Sequence, residues 1–510
     1  MFEKGQEYRI KIEDVSDQGQ GIGKIDGFTV FVKDTFPGDV VLCELTKVKK
    51  RFALARPVEL LEASPDRIEP ACEYAGECGG CSFMEYDYDA QLKLKRKQVA
   101  DKLTRLGELK DPKVRMTEGM TDPWRYRNKA VFQVDIDGSV GFFRKRSRFV
   151  VDCSDCMLQM PAAAAAADAL REFLNTGGLK KGEKIKNMTV RTAPGTGEVM
   201  VILGCSELKG IERLAMLLDD AVYGAGHSLE SIYYDDGGKE PVLAAGKYTI
   251  DEIVSYGDKE RIRFEISPRS FYQVNPEMMR CLYDIAADYA DIKAGDTILD
   301  LYCGAGSIGL WMLGKFAQTK TAGNGEEDDP FVLGIESEKQ AILDANRNAV
   351  INGVVNARYI TGKAEEVLPE LVRLRTDKTG EDNNDSSKKK YDDDLIKAAN
   401  RATVAVIDPP RSGCRSELIK AVAKTSPDRI VYVSCDPATL ARDIKKLREY
   451  GYEFIEATPV DMFPHTSHVE TVVQLVNIGV KPDYTVRLEV DVDEFYKTVG
   501  EEKRHFVKPD

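Results

Sequence analysis

Apolar and polar positions alternate with a period of two near the start of the chain, in Tyr8-Arg9-Ile10-Lys11-Ile12, Phe28-Thr29-Val30-Phe31-Val32 and Val40-Val41-Leu42-Cys43-Glu44-Leu45. Such alternation specifies half-buried strands. Gly19, Gly21, Gly23, Gly27 and Pro37-Gly38 punctuate them, and Ala53 to Leu61 reads as a closing strand. Residues 1–61 therefore predict a small closed β-barrel, a module suited to binding RNA through a basic, loop-rimmed face. From about Asp89 to Leu106 the period becomes helical, with Leu92, Leu94, Val99 and Leu103 on a core-facing stripe and basic residues between them. Across 62–270, strand-like runs (Ala130 to Val134, Thr189 to Thr192, Val199 to Leu203, Ser231 to Tyr234) mix with a helical Ala162 to Leu174, which predicts a central α+β domain. Across 271–480, apolar strands at Thr297 to Tyr302, Phe331 to Ile335, Val404 to Ile407 and Arg429 to Val433 each precede a helical pattern, as in a doubly wound, mostly parallel α/β sheet. Gln318 to Asp329 and Thr376 to Asp394 are charged and poor in apolar residues, and read as surface insertions; 481–510 is a charged tail.

Composition adds class and compartment. A chain of 510 residues with 43 % hydrophobic content can build several cores. No apolar run approaches the roughly 18 residues of a membrane span. The opening Met1-Phe2-Glu3-Lys4 has no basic, apolar leader, and with eleven cysteines this predicts a reducing cytoplasm in which thiols serve metals or catalysis. The net charge of −13 argues against a polyanion partner until its distribution is considered. Lys47, Lys49, Lys50, Arg51 and Arg56, then Lys93, Lys95, Arg96, Lys97, Lys102 and Arg105, then Arg125, Arg127, Arg144, Lys145, Arg146 and Arg148 make the first third basic, while acid collects at Glu326 to Asp329 and Asp392 to Asp394. That division fits a polyanion-binding face on an acidic enzyme as well as an ordinary solvated surface.

The candidate chemistry lies at strand ends. Asp300-Leu301-Tyr302-Cys303-Gly304-Ala305-Gly306 is a buried strand entering a glycine turn, and Glu336 ends the next strand, where an acid can grip ribose hydroxyls. No second glycine element or lysine cradles a phosphate, so an adenosine without pyrophosphate, such as S-adenosylmethionine, fits better than a dinucleotide. Asp408 in Asp408-Pro409-Pro410-Arg411 ends another strand, as a ligand-holding carboxylate or a helix cap. Cys435 follows Ile430 to Val433 where a strand opens into a loop, and Glu470 follows in His468-Val469-Glu470, offering a nucleophile and a base. Arg442, or the N-terminus of a helix from Ala438 to Arg448, would lower the thiol pKa. His465 and His468 flank the base and suit packing or substrate contact. Cys72, Cys78 and Cys81 are spaced C-x5-C-x2-C around Gly79-Gly80, with Cys153 and Cys156 further on; three thiolates and a distant fourth can hold zinc or a four-iron cluster.

Taken together these residues resemble the RNA uracil-5 methyltransferase family, specifically its 23S ribosomal RNA members with an N-terminal TRAM (OB-like) barrel. The likeness spans about residues 5–480. It is carried by Cys72, Cys78 and Cys81 with Gly79-Gly80, Tyr126-Arg127-Asn128-Lys129-Ala130, Phe271-Tyr272-Gln273-Val274-Asn275, the Tyr302 turn, Asp408-Pro409, Ser434-Cys435-Asp436-Pro437 and Asp461-Met462-Phe463-Pro464-His465 leading to Glu470. The resemblance implies a Rossmann-like class I methyltransferase domain behind a TRAM barrel and a central α+β domain carrying an iron–sulfur cluster. It implies S-adenosylmethionine held by Gln273, Tyr302, Glu336 and Asp408, Cys435 as nucleophile, Glu470 as base, and a [4Fe-4S] cluster on Cys72, Cys78, Cys81 and Cys156, the last chosen over Cys153 because it precedes a short apolar run ending in Pro161. The implied partner is RNA, 23S rRNA foremost, with neither membrane nor obligate protein partner. Lys363 stands where a polar or acidic adenine contact is often found, so that contact is not carried over. Transfer RNA is the alternative substrate. Radical methylthiolation would need a C-x3-C-x2-C triplet that is absent, and a purely RNA-binding protein would have no use for Cys435 and Glu470.

Overall fold

A computed structural model describes residues 2–238, 240–255, 261–319, 329–376 and 390–479. The middle of each charged insertion (320–328 and 377–389) and the tail beyond 479 lie outside the described residues. Strands β1 (Glu7–Val15), β2 (Gly21–Ile25), β3 (Phe28–Val32), β4 (Val40–Val48) and β5 (Phe52–Glu62) close into a barrel in the order β1-β2-β3-β5-β4. The alternate residues Ile10, Ile12, Val30, Val32, Val41, Cys43 and Leu45 fill it, with Ala53 and Ala55 from the closing strand. The sequence pattern marks β2 only as glycine punctuation, yet it is a strand. A side chain at Gly21 would stand 2.2 Å from Thr35 Oγ1 and one at Gly23 2.6 Å from the Lys11 carbonyl oxygen, so the tight wall of the barrel admits only glycine there.

Helix α1 (Tyr88–Arg105) starts at Asp87, whose carboxylate accepts the Ala90 N–H. The central sheet contains β6 (Lys129–Val134), β7 (Val140–Phe143), β8 (Val150–Asp152), β9 (Asn187–Ala193), β10 (Glu198–Leu203), β11 (Ser228–Tyr234) and β12 (Val242–Gly246) in the order β12-β11-β10-β9-β6-β7-β8. Helices α2 (Pro161–Asn175) and α3 (Ile211–Gly224) cover it through an alanine-rich core. A hairpin of β13 (Ile250–Ser255) and β14 (Arg261–Ile266) leads into the last unit.

That unit is a doubly wound sheet of β15 (Thr297–Leu301), β16 (Phe331–Glu336), β17 (Ala357–Thr361), β18 (Val404–Ile407), β19 (Arg429–Ser434), β20 (Tyr452–Val460) and β21 (Glu470–Asn477), ordered β17-β16-β15-β18-β19-β21-β20. β15 to β19 run parallel and β21 is antiparallel, which turns its start toward the edge where β19 ends. Helices α4 (Pro276–Ala290), α5 (Ser307–Thr319), α6 (Lys339–Ile351), α7 (Ala364–Thr376), α8 (Asp393–Asn400), α9 (Ser416–Thr425) and α10 (Pro437–Glu449) surround it. Asp392 caps α8 by accepting the Leu395 N–H at 2.9 Å and Tyr391 is buried, so the acidic end of the second insertion is the first turn of a packed helix. By packing, α1 belongs to this unit: Val99, Leu103 and Val114 share a core with Leu440, Ile444 and Leu447 of α10. No described helix is long and apolar enough to cross a membrane.

Several expected surface cations turn out to be structural. Lys95 has no exposed side-chain surface and binds Asp461, also fully buried, at 2.5 Å. Lys97 and Lys102 of α1 reach Asp14 and Asp17 of the barrel, and Lys145 reaches Asp34. By contrast Lys47, Lys49, Lys50, Arg51, Arg146 and Arg148 are exposed, with no carboxylate partner among the described residues. The end of β4 with the β4–β5 loop, and the β7–β8 loop, thus each present a group of unpaired basic side chains.

Candidate active site

Cys435 sits where β19 gives way to α10. The last pair of the β19–β21 ladder is Ser434 with Thr471, so Cys435 and Glu470 stand one residue beyond it on adjacent strands. Asp436 caps α10 by accepting the N–H groups of Ala438 and Thr439 at 2.9 and 2.8 Å. Those are the donors that would otherwise favour a thiolate at a helix N-terminus. Arg442 does not reach the thiol either. Its guanidinium binds Asp443 and the carbonyls of Ser412 and Cys414, clamping the loop after Asp408 onto α10. Gly413 makes that clamp possible, with φ +70° and room for no side chain beside Arg442 and Asp443. Burial, then Glu470 and Asp408, raise the Cys435 thiol to about 11, and Arg411 opposes them. The expected lowering by Arg442 or the helix is therefore corrected: the nearby cation is Arg411, and the carboxylates outweigh it.

Glu470 is buried, and burial followed by Asp408 raises it to about 8. Asp408, at the end of β18, rises to about 7 through burial and then the charges of Asp300 and Glu336. Asp300, fully buried behind the Tyr302 turn, is also raised to about 7 by burial. Its Oδ2 accepts the Gly309 N–H at 3.1 Å and its Oδ1 has no partner. Acids so close to one another hold on to their protons, and a cationic ligand beside them would favour their charged forms.

Gln273, Tyr302 and Asp408 line one cavity together with Gly304, Ala305 and Ser307. Glu336 stands just behind its wall, its Oε2 accepting the Gly304 N–H at 3.3 Å and its Oε1 the Glu338 N–H at 2.9 Å. Tyr302 has φ +63°, a left-handed backbone unusual for tyrosine, and its hydroxyl donates to Glu365 at 3.0 Å. The hydroxyls of Tyr272, on the wall, and of Tyr359, against Gly306, are buried without partners. Unpaired buried polar atoms around a cavity fit a polar ligand. Lys363 pairs with Glu366. The sequence reading passed over two ties: Asn128 Nδ2 donates to the Gln273 carbonyl at 3.0 Å, and Asn275 Nδ2 donates to the Met462 carbonyl at 3.3 Å, joining the separated motifs.

The loop before Glu470 is laced to the cysteine segment. The N–H groups of Ser82 and Phe83 donate to the His465 carbonyl, and Ser467 N–H donates to Ser82 Oγ at 3.0 Å. Ser467 Oγ donates to the Asp17 carbonyl of the barrel at 3.0 Å. His465 is buried with φ +62°, stacked on Trp124 at 4.2 Å, and is a packing residue; His468 is exposed. Beside this loop, Cys72, Cys78, Cys81 and Cys156 line a second cavity of about 330 Å³, and Cys153 is a fifth thiol on its wall. Burial, then Cys156, Cys78 and Cys72, push Cys81 up to about 12, with Arg127 opposing. The thiols face a common space but stand apart: among the described residues no three His, Cys, Asp or Glu side chains are drawn together tightly enough for a single metal ion. Cysteine thiols around one cavity are the donor chemistry that an iron–sulfur cluster takes.

A cavity at the switch point of a doubly wound sheet, beside a thiol and a carboxyl, is the arrangement of a methyltransferase-type active site behind an RNA-binding barrel. The family model for tRNA (uracil-5-)-methyltransferase matches residues 238–478 and that for the TRAM domain matches residues 2–58. An uncharacterized RNA methyltransferase of Halalkalibacterium halodurans is 36 % identical over 484 residues, 91 % of this chain and 96 % of its own. One from Caldanaerobacter subterraneus subsp. tengcongensis is 36 % identical over 487 residues, 92 % of this chain and 97 % of its own. Among solved structures, the tRNA (uracil-54, C5)-methyltransferase of Pyrococcus abyssi, in complex with S-adenosyl-L-homocysteine, superposes with a TM-score of 0.65 at 26 % identity, covering 92 % of this chain and 100 % of that one. The chain belongs to the S-adenosylmethionine-dependent RNA (uracil-5-)-methyltransferase family and carries an N-terminal TRAM domain.

Proposed function

We propose that the protein methylates C5 of a uridine in cytoplasmic 23S rRNA through a covalent adduct at Cys435. One observation carries this reading: Asp408 lines the cofactor cavity, and its charge acts on both Cys435 and Glu470, so cofactor, nucleophile and base share one corner of the sheet. S-adenosylmethionine, held by Gln273, Tyr302, Glu336 and Asp408, supplies an electrophilic methyl group. Uracil C5 is too weakly nucleophilic to take it unaided. Addition of the Cys435 thiolate to C6 pushes electrons into an enolate that is nucleophilic at C5. After methylation the Glu470 carboxylate removes the C5 proton, the Cys435–C6 bond breaks by β-elimination, and the C5–C6 double bond returns. The target base must leave its stack to reach both groups. Cys72, Cys78, Cys81 and Cys156 would hold a [4Fe-4S] cluster that ties the 72–81 segment to the turn at Cys156, beside the loop carrying Glu470.

The rRNA substrate rests on the resemblance of the barrel and the cysteine pattern. The Pyrococcus abyssi neighbour, whose name gives tRNA uracil-54, favours tRNA as the second reading. Incubation with unmodified 23S rRNA or bulk tRNA, followed by nucleoside mass spectrometry, separates them. 5-Methyluridine in rRNA alone supports the first, in tRNA alone the second, and in neither ends both.

Titration of the site gives a signed prediction. Glu470, raised to about 8, is protonated below that pH and an acceptor above it, and Cys435 gains thiolate up to about 11. The rate constant kcat/KM should therefore climb with pH through about 8, and a profile that falls over that interval would count against Glu470 as base. The folded chain also retains protons on Asp300, Asp408 and Glu470 that the unfolded chain releases, so stability without cofactor should fall as pH rises from about 4 to about 8, read by urea unfolding.

The unpaired loops give a second prediction. Arg146 at the β7–β8 tip has φ +58°, so asparagine, which tolerates that backbone, is the clean replacement. Arg146→Asn with Arg148→Ala should weaken RNA binding and lower the slope of log K against log salt by about 1–2, with the melting temperature unchanged.

A further inference from the structure

One face of α6 is polar where it packs against the protein. Asp344, Asn348 and Asn352 recur at every fourth residue, which places them on the same side of the helix. Asp344 and Asn348 are 1 % and 0 % exposed. All three turn to β14 or to the segment that follows it. Asn352 Oδ1 accepts the Arg263 N–H at 2.9 Å, and its Nδ2 donates to the Arg263 carbonyl at 2.7 Å. Asn348 Oδ1 accepts the Glu265 N–H at 3.0 Å, and its Nδ2 donates to the Ala305 carbonyl at 3.1 Å. Asp344 Oδ2 accepts the Ser270 hydroxyl at 2.6 Å.

Ser270 and Ala305 both line the cavity assigned to the cofactor, the first on the segment that runs into Gln273 and the second in the turn after Tyr302. We propose that Asp344 and Asn348 are positioning residues for S-adenosylmethionine, which hold the Gln273 segment and the Tyr302 turn in register through Ser270 and Ala305. This role rests on the reading of that cavity as the cofactor site. Both amide atoms of Asn348 are taken up by the protein's own backbone, and Asp344 is not on the cavity wall, so each acts through another residue.

A buried carboxylate is tolerated where its acceptor sites are filled. Asp344 Oδ1 accepts from Gln340 Nε2 at 3.0 Å and from the Arg347 guanidinium, which leaves Oδ2 for Ser270. Ser270 Oγ accepts the Ser267 N–H at 2.9 Å, and the Ser270 carbonyl accepts from Arg191 of β9, which is itself buried. The central sheet and α6 thus grip the cofactor segment at the same residue. Apolar side chains would pack here without direction, whereas a satisfied hydrogen-bond network specifies one arrangement. A wall ordered before the ligand arrives spares binding the cost of ordering it.

The test compares full-length wild type with Ser270→Ala, Asp344→Asn, the double variant and Gln273→Ala. Binding of S-adenosyl-L-homocysteine is measured by calorimetry, unfolding by urea, and methyl transfer to the RNA that the protein methylates at varied cofactor. Ser270→Ala and Asp344→Asn should each weaken binding on the order of 10-fold and raise the KM for cofactor alike, with kcat at saturating cofactor and the KM for RNA unchanged. Asp344→Asn should also lower stability, because Arg347 loses its counter-charge. The double variant should bind no worse than the weaker single one, since hydroxyl and carboxylate form one contact. Lost stability with wild-type affinity in both single variants, or additive losses of affinity in the double one, would overturn the proposal. Weakened binding in Gln273→Ala with wild-type affinity in Ser270→Ala would overturn it too and leave the cofactor site standing. Weakened binding in Ser270→Ala with wild-type affinity in Gln273→Ala would remove Gln273 from that site and support the role of α6.

Discussion

Replacing Cys435 by alanine should abolish methyl transfer to RNA, by on the order of 10⁴-fold or more, with the affinity for S-adenosylmethionine unchanged. The two effects separate because Cys435 is not on the wall of the cavity proposed for the cofactor, whereas Gln273, Tyr302 and Asp408 are. On the proposed mechanism no enolate forms without the thiol, and C5 does not attack. Glu470→Gln should fail later: the thiolate still adds and C5 is still methylated, but its proton has no acceptor, so RNA stays bonded to the protein. A slow band on a denaturing gel, carrying label from the methyl group and absent from the double variant Cys435→Ala/Glu470→Gln, reads this out. The reasoning is contradicted if Cys435→Ala produces 5-methyluridine at the wild-type rate. Adduct formation without Cys435 would contradict it equally.

The sequence made the strand ends legible and the side-chain directions illegible. Cys435, Asp408, Tyr302 and Glu336 each follow an apolar run, and a parallel sheet gathers such positions at one edge, so their shared corner follows from pattern alone. Glu470 joins them because β21 runs antiparallel and begins where the others end. What the pattern does not carry is where a long side chain turns. Arg442 is close to Cys435 in sequence but turns to Asp443 and the 412–414 carbonyls, and the cation that acts on the thiol is Arg411, from another strand end. Asn128 and Asn275 act over long sequence distances through single hydrogen bonds, which no local periodicity encodes. The basic stretch on α1 misled for the same reason: Lys95 occupies a buried face of the helix, and only the tertiary partner Asp461 explains a lysine there.

That partner makes Lys95 the site of the largest expected stability effect. Both side chains are wholly buried, their contact is 2.5 Å, and Lys95 Nζ also donates to the Phe463 carbonyl at 3.2 Å. Burial alone lowers the lysine pKa, and the Asp461 charge works against that. Lys95→Met leaves an uncompensated carboxylate in the core between α1 and the loop that precedes Glu470, at a cost of about 3–5 kcal/mol. Asp461→Leu leaves the converse charge and should cost as much. The double variant Lys95→Met/Asp461→Leu removes both charges and should be clearly more stable than either single one, because replacing a buried pair with apolar groups is often neutral while breaking it is not. Urea unfolding of the four proteins gives the coupling directly, and additive losses would mean that the pair does not interact. Activity should not return with stability. The Lys95 donor to Phe463 is gone in the double variant, so the 461–468 loop that leads into Glu470 loses one of its ties, and the expected result is a well-folded protein with reduced kcat and an unchanged KM for the cofactor.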